Sequence, residues 1–200
     1  MALAEGGDAV TGPLLAMNLV GRDGRQLKDV WRDGPQTYLG LAAHGFPNLF
    51  LITGPQSPSV SYNMPMAIED HVEFAANVIK SLRERGASVF DATPEAAEKW
   101  GKLVLGIADQ TLFPQAKSSW YMGANVPGKP RVFMPYIGGF PVYVQKCNEV
   151  MSSGFNGFVF EGARNGNAAP EVRYTERWRV PIDIDVISPA AVAARRVPVV

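Results

Sequence analysis

Two short stretches carry the side chains best suited to meeting a ligand. Residues 118–130 read SSWYMGANVPGKP, setting Trp120, Tyr121 and Met122 against a run of small, turn-forming residues that ends in a lysine. Aromatics in that position either anchor a loop onto the core or offer a flat surface to a planar ligand. Residues 54–65 read GPQSPSVSYNMP, a small-residue loop that leads into a helical pattern. The free N–H groups and positive dipole end of a helix attract anionic or electron-rich ligand atoms. An ordinary connection between two elements has the same composition, so the residues alone leave both readings open.

Other chemistry is easier to set aside. His44 and His71 are the only histidines, and no CxxC or HxxxH spacing accompanies them, which argues against a zinc site. The single cysteine, Cys147, lies in a helical-looking run, YVQKCNEVM, where a buried inert thiol is expected rather than a nucleophile. Gly-x-Ser-x-Gly, GxGxxG and GxxxxGK[ST] are all missing, so neither a nucleophile elbow nor a dinucleotide or phosphate loop is encoded in these residues. Lys plus Arg and Asp plus Glu both number 19, giving no electrostatic reason to expect nucleic acid or an anionic membrane as partner. The opening MALAEGGDAV has no basic region followed by an apolar one, and no window approaches the ~18 apolar residues of a spanning helix. A cytoplasmic protein is expected.

The elements that must position these stretches follow from pattern. The chain has 200 residues, 46% of them hydrophobic and 19% charged, enough apolar material for one core. Residues 17–31, with Asp23-Gly24 at a turn, predict a hairpin. The apolar run 49–53 predicts a strand buried on both faces, ending at Gly54-Pro55. A helix is expected over 65–85, with Ile68, Val72, Ala75, Ile79 and Leu82 as its apolar stripe and Gly86 just past its end. His71 falls off that stripe and is expected to be solvated or hydrogen-bonded. A second helix starts at Thr93-Pro94, with Ala97, Trp100, Val104 and Ile107 on one face. A strand over 131–139 broken by Pro135, a helix over 142–151 and a strand over 155–160 complete the pattern. Residues 161–200 read as a weakly structured or partner-dependent tail. The order indicates an α/β fold, but with too few strands for a complete doubly wound sheet.

The segments TYLGLAAHGFPNLFLITGPQSPSVSYNMPMAIEDHVEF and ADQTLFPQAKSSWYMGANVPGKPRVFMPYIGGF, in this order, resemble the C-terminal part of Baeyer–Villiger monooxygenases. The resemblance runs from about Asp8 to Phe160 and implies part of an FAD/NAD(P)-binding Rossmann-type fold over residues 1–160. It implies FAD and NADPH as cofactors, and O₂ and a small-molecule ketone as substrates, the ketone being converted to an ester or lactone. Met64 falls at a methionine that touches FAD, beside Gly54 and Pro55, and Trp120 at a tryptophan that packs near NADP⁺. Ser59, Val60, Ser61 and Tyr62 fall in a loop that lines the substrate pocket. The family's glycine motifs, its fingerprint and its catalytic arginine lie upstream of the matched region, and its ATG-[FY]-D element stands here as Ala4-Glu5-Gly6-Gly7-Asp8. Two expectations follow: a fragment of such an enzyme, inactive alone and dependent on an N-terminal portion, or a non-catalytic remnant or interaction module derived from one.

Overall fold

A computed structural model describes residues 8–58, 62–116, 119–124 and 126–162. Two short helices, α1 (Gly12–Ala16) and α2 (Leu27–Val30), precede the long α3 (Met64–Arg85). Strand β1 (Val89–Ala92), α4 (Pro94–Ala108), α5 (Phe140–Ser152) and strand β2 (Phe158–Glu161) follow. The mixture of helices and strands accords with the expected α/β class.

The helices form where period and caps agree. In α3, Pro65 occupies the first turn, where its missing N–H costs nothing, and Gly86 takes the left-handed conformation (φ +62°) that closes the last turn. In α4 the Thr93 hydroxyl accepts the N–H of Ala96, satisfying one of the unpaired donors of the first turn. The α4 stripe is buried at Ala97, Trp100 and Val104, with Ile107 at its margin.

The face of α3 differs from expectation. Its buried residues are Ala67, His71, Phe74, Val78 and Ser81, whereas Ile68, Val72 and Ile79 are 40%, 51% and 42% exposed. The helix is therefore rotated by about one residue, some 100°, from the stripe that hydropathy selects. His71 and Ser81 can face inward because each has a polar partner there, His71 at the Thr53 N–H and Ser81 at Arg85 Nε.

The strands are a correction too. Residues 49–53 form no strand: Asn48 and Thr53 have φ of +60° and +54°, which breaks the extended backbone at both ends, and Ile52 is 39% exposed. Residues 17–31 make one isolated bridge, Val20 to Gln26, around a tight turn before α2, rather than a hairpin. The strand over residues 131–139 is an extended segment with a single parallel bridge, Pro58 to Tyr136. The sheet observed is an antiparallel ribbon of β1 and β2, registered from Val89 opposite Glu161 to Ala92 opposite Phe158.

That ribbon anchors the core. Phe90 stacks on Phe158 (4.4 Å between ring centroids), with Phe50 on Phe90 and Phe74 edge-on to Phe155. Asn48 finishes the outer edge of β1, because its backbone N–H donates to Phe90 O and its side-chain oxygen accepts the Phe90 N–H. Beside it, Arg22 donates to Asp91 and to Glu161, one residue from each strand. A smaller cluster of Leu27, Trp31, Ala43, Phe46 and Leu51 packs separately from the main core. Residues 163–200, including the predicted tail, lie outside the described residues.

Candidate functional site

The GPQSP loop is fixed from several sides. The Thr53 N–H donates to His71 Nδ1 (2.9 Å), the Thr37 hydroxyl donates to Pro55 O (2.9 Å), and the Trp100 indole donates to Gln56 O (3.0 Å). The Gln56 side-chain oxygen in turn accepts the Thr37 N–H (2.9 Å). Gly54 is required by close approach: a Cβ there would sit 2.6 Å from Gly40 O and 2.7 Å from Leu51 Cβ. Thr53 and Gln56 both have positive φ (+54° and +67°), a conformation that persists only where surrounding contacts hold it.

Opposite this loop lies the aromatic turn. Trp120–Met122 forms one 3₁₀ turn ended by Gly123 at φ +66°. Trp120 stacks on Tyr121 (4.1 Å, 28° between planes), Tyr121 meets Phe113 edge-on, and Trp120 keeps 38% of its surface exposed. Tyr121 is thus the more firmly anchored of the two rings and Trp120 the more exposed, and both border the same cavity. Residues 132–136 join the two segments. The Met134 N–H donates to Tyr121 O, Met134 O accepts the Gln56 N–H, and the Tyr136 N–H donates to Ser57 O.

The loop that follows the aromatic turn is tied to the start of the described chain. Lys129 Nζ lies 2.6 Å from Asp8 Oδ1 and donates to the Thr11 hydroxyl (2.8 Å), which itself donates to Asp8 Oδ2. Burial pushes the Asp8 carboxyl up, but the hydrogen bonds from Lys129 and Thr11 more than offset it and bring its pKa down to about 2.

Gly54, Pro55, Met64 and Trp120 all line one cavity of about 230 Å³. Ala9, Val10, Thr53, Ser57, Pro58, Tyr121, Met134 and Pro135 complete its wall. Ala9, Val10, Met134 and Pro135 lie outside the two stretches that the sequence singles out; residues 131–139 predict a strand broken at Pro135, and the hydrogen bonds of Met134 to both segments become visible only in three dimensions. Tyr62 is not in this wall. It packs its half-buried ring against Phe140 (5.7 Å). Ser59, Val60 and Ser61 lie outside the described residues. A larger cavity of about 590 Å³ lies between α4 and α5, around Trp100, Leu103 and Tyr136, and holds none of the predicted residues.

Two other candidate groups have structural partners. His44 Nδ1 lies 2.8 Å from Ala92 O. Cys147 is buried in α5, and burial pushes its thiol up to about 12, far from a thiolate at neutral pH. Among the described residues no helix is long and apolar enough to cross a membrane.

An aromatic face, a thioether and a rigid backbone turn thus converge on a common space. The chain is 41% identical over 158 residues to a cyclopentanone 1,2-monooxygenase of Comamonas sp. (strain NCIMB 9872), covering 79% of this chain and 28% of that enzyme. A steroid monooxygenase solved bound to NADP is similar over 76% of this chain and 28% of its own, with 47% identity and a TM-score of 0.70. A third, solved as the OTEMO complex with FAD and NADP, shares 32% identity and a TM-score of 0.70 over the same shares. No protein-family model matches the chain. Over about four fifths of its length, the chain is similar to part of these monooxygenases, and to part of a Baeyer–Villiger monooxygenase at 40% identity. It spans under a third of the length of the relatives it matches.

Proposed function

We propose that this chain supplies the C-terminal part of the FAD-binding region of an FAD- and NADPH-dependent Baeyer–Villiger monooxygenase, which inserts one oxygen atom from O₂ into a ketone. The observation that carries the reading is the convergence of Gly54, Pro55, Met64 and Trp120 on one cavity, in a chain similar to enzymes solved with FAD and NADP. In this reading the Met64 thioether and the Gly54-Pro55 turn border the flavin ring. Trp120 supplies a flat face near the nicotinamide cofactor, and residues 59–62 are assigned to the substrate pocket by resemblance alone, Tyr62 packing on Phe140 outside this cavity.

The residues present fit part of a dinucleotide only. The cavity of about 230 Å³ is smaller than the roughly 300–1,000 Å³ that encloses a drug-sized ligand, and no glycine-rich phosphate loop is present. When bound, FAD supplies the electron transfer and oxygen chemistry. The chain's own part is to hold a dry, apolar wall against it, through Val10, Pro55, Met64 and Trp120, on a loop whose backbone cannot shift easily. The second reading, a non-catalytic remnant or interaction module, draws support from the same missing phosphate loop.

One measurement tests the partial site and a second separates the two readings. Purified chain is expected to show no flavin absorbance; stoichiometric yellow flavin would overturn the reading of a partial site. Co-expression with the upstream portion of a similar monooxygenase is expected to restore ketone-dependent NADPH oxidation. Restored flavin binding without that oxidation would favour the non-catalytic reading.

A further inference from the structure

His71 lies on α3, on the side turned toward Tyr143 of α5, and it is 1% exposed. Its two ring nitrogens are both engaged. Nδ1 lies 2.9 Å from the Thr53 backbone nitrogen, and Nε2 lies 2.9 Å from the Tyr143 hydroxyl. A backbone N–H can only donate, so Nδ1 is the acceptor and the neutral ring carries its proton on Nε2. Nε2–H then donates to Tyr143 Oη, and the Tyr143 hydroxyl donates to Leu39 O at 2.7 Å. One directed chain of hydrogen bonds therefore runs Thr53, His71, Tyr143, Leu39.

Both ends of that chain are backbone in the left-handed region: Thr53 at φ +54° and Leu39 at φ +58°. Neither residue type favours this conformation. Thr53 is itself in the cavity wall and immediately precedes Gly54-Pro55. Leu39 precedes Gly40, whose carbonyl is the atom that leaves no room for a side chain at Gly54. Thr53 and Tyr143 bond His71 from outside its own helix, and Tyr143 is met in turn by Leu39 and by the Cys147 thiol, with Asp70 of α3 nearby; Tyr143 is fully buried and its hydroxyl stays protonated, because burial raises its pKa well above the ordinary tyrosine value.

We propose that His71 is the positioning residue of the cavity wall, a neutral imidazole that locks the Thr53–Pro55 turn and the Leu39–Gly40 turn in register through Tyr143. The turn it locks is the one that would border the flavin. That link rests on the function proposed above, whereas the clamp itself does not.

The test reads the Thr53 amide by hydrogen exchange in isotopically labelled full-length chain, with the Val78 and Val104 amides as internal controls. Loss of one such bond corresponds to roughly tenfold in local opening. His71→Leu is expected to reduce Thr53 protection at least about tenfold relative to the controls, and His71→Gln, which can both accept from Thr53 and donate to Tyr143, is expected to restore it. Should His71→Leu not fold, Tyr143→Phe reports on the same chain of bonds by a smaller loss at Thr53. In wild-type chain the Thr53 amide signal is expected to move with pH in step with the His71 ring signals, and to lose that response in His71→Gln. Thr53 protection unchanged in His71→Leu and Tyr143→Phe, or a Thr53 response to pH that persists in His71→Gln, overturns the proposal. No flavin enters the measurement, so a failed clamp and a failed cofactor reading give different results.

Discussion

Lowering the pH acts on Asp8 and on His71 in separate windows, because their environments move their pKa values for different reasons. His71 falls from its ordinary 6.5 to about 4 through burial. Between those values the unfolded chain binds the proton and the folded one does not, so stability declines as pH falls from 6.5 toward 4, by up to about 3 kcal/mol. Asp8 falls from 3.8 to about 2, its burial outweighed by the bonds from Lys129 and Thr11. Its contribution is complete above 3.8 and is lost as pH falls toward 2, an effect that solvent screening of this partly exposed pair holds to about 1 kcal/mol. Urea unfolding across pH should therefore show two limbs. His71→Gln is expected to flatten the one between pH 6.5 and 4, and Asp8→Asn the one below 3.8 while costing about 1 kcal/mol at neutral pH. A single limb untouched by either substitution would contradict both assignments.

Among the elements, α3 shows best what a sequence displays and what it conceals. Its length and ends were legible, because Pro65, Gly86 and the helical period are local signals. Its orientation was not, since Ile68, Val72 and Ile79 outrank His71 and Ser81 in hydropathy, while the partners that allow the polar pair inside come from Thr53, Tyr143 and Arg85. Phe74→Ala is accordingly expected to cost about 3–5 kcal/mol, and Val72→Lys within about 0.5 kcal/mol, both read by urea unfolding. The reverse order would restore the hydropathic stripe. Strand β1 was missed for a related reason. Its four residues, VFDA, are too short to show a period, and what makes them a strand is pairing with β2 and the hydrogen bonds from Asn48. The run at 49–53 misled in the opposite sense: it has strand composition, but the positive φ at Asn48 and Thr53 turns it into the support of the GPQSP loop. Of the candidate site, Gly54-Pro55, Met64 and Trp120 were singled out by motif resemblance and line one cavity, whereas Met134, in the same wall, gave no signal, because it is held by two backbone hydrogen bonds that any residue but proline could make.

For the molecule as a whole, the division of apolar side chains into two clusters has thermodynamic meaning. The main core unites α3, α4, α5 and the ribbon, whereas Leu27, Trp31, Ala43, Phe46 and Leu51 form a small satellite beneath the first two helices. Small, loop-rich units open at lower free energy than the core they lean on. Hydrogen exchange at Leu27 and Trp31 is expected to be faster than at Val78 and Val104, and equal protection throughout would show one cooperative unit instead. The position of β2 has a different consequence, one of timing. Phe158 and Phe160 close the aromatic cluster around Phe90 from the far end of the described chain, and Arg22 joins the first part of the fold to Glu161. During synthesis, α3, β1 and α4 leave the ribosome before the strand that seals them, so Phe90 and Phe74 wait without their ring partners. The core of this chain can be completed only after Glu161 has emerged, which makes its folding a late event and leaves the nascent helices dependent on protection until then.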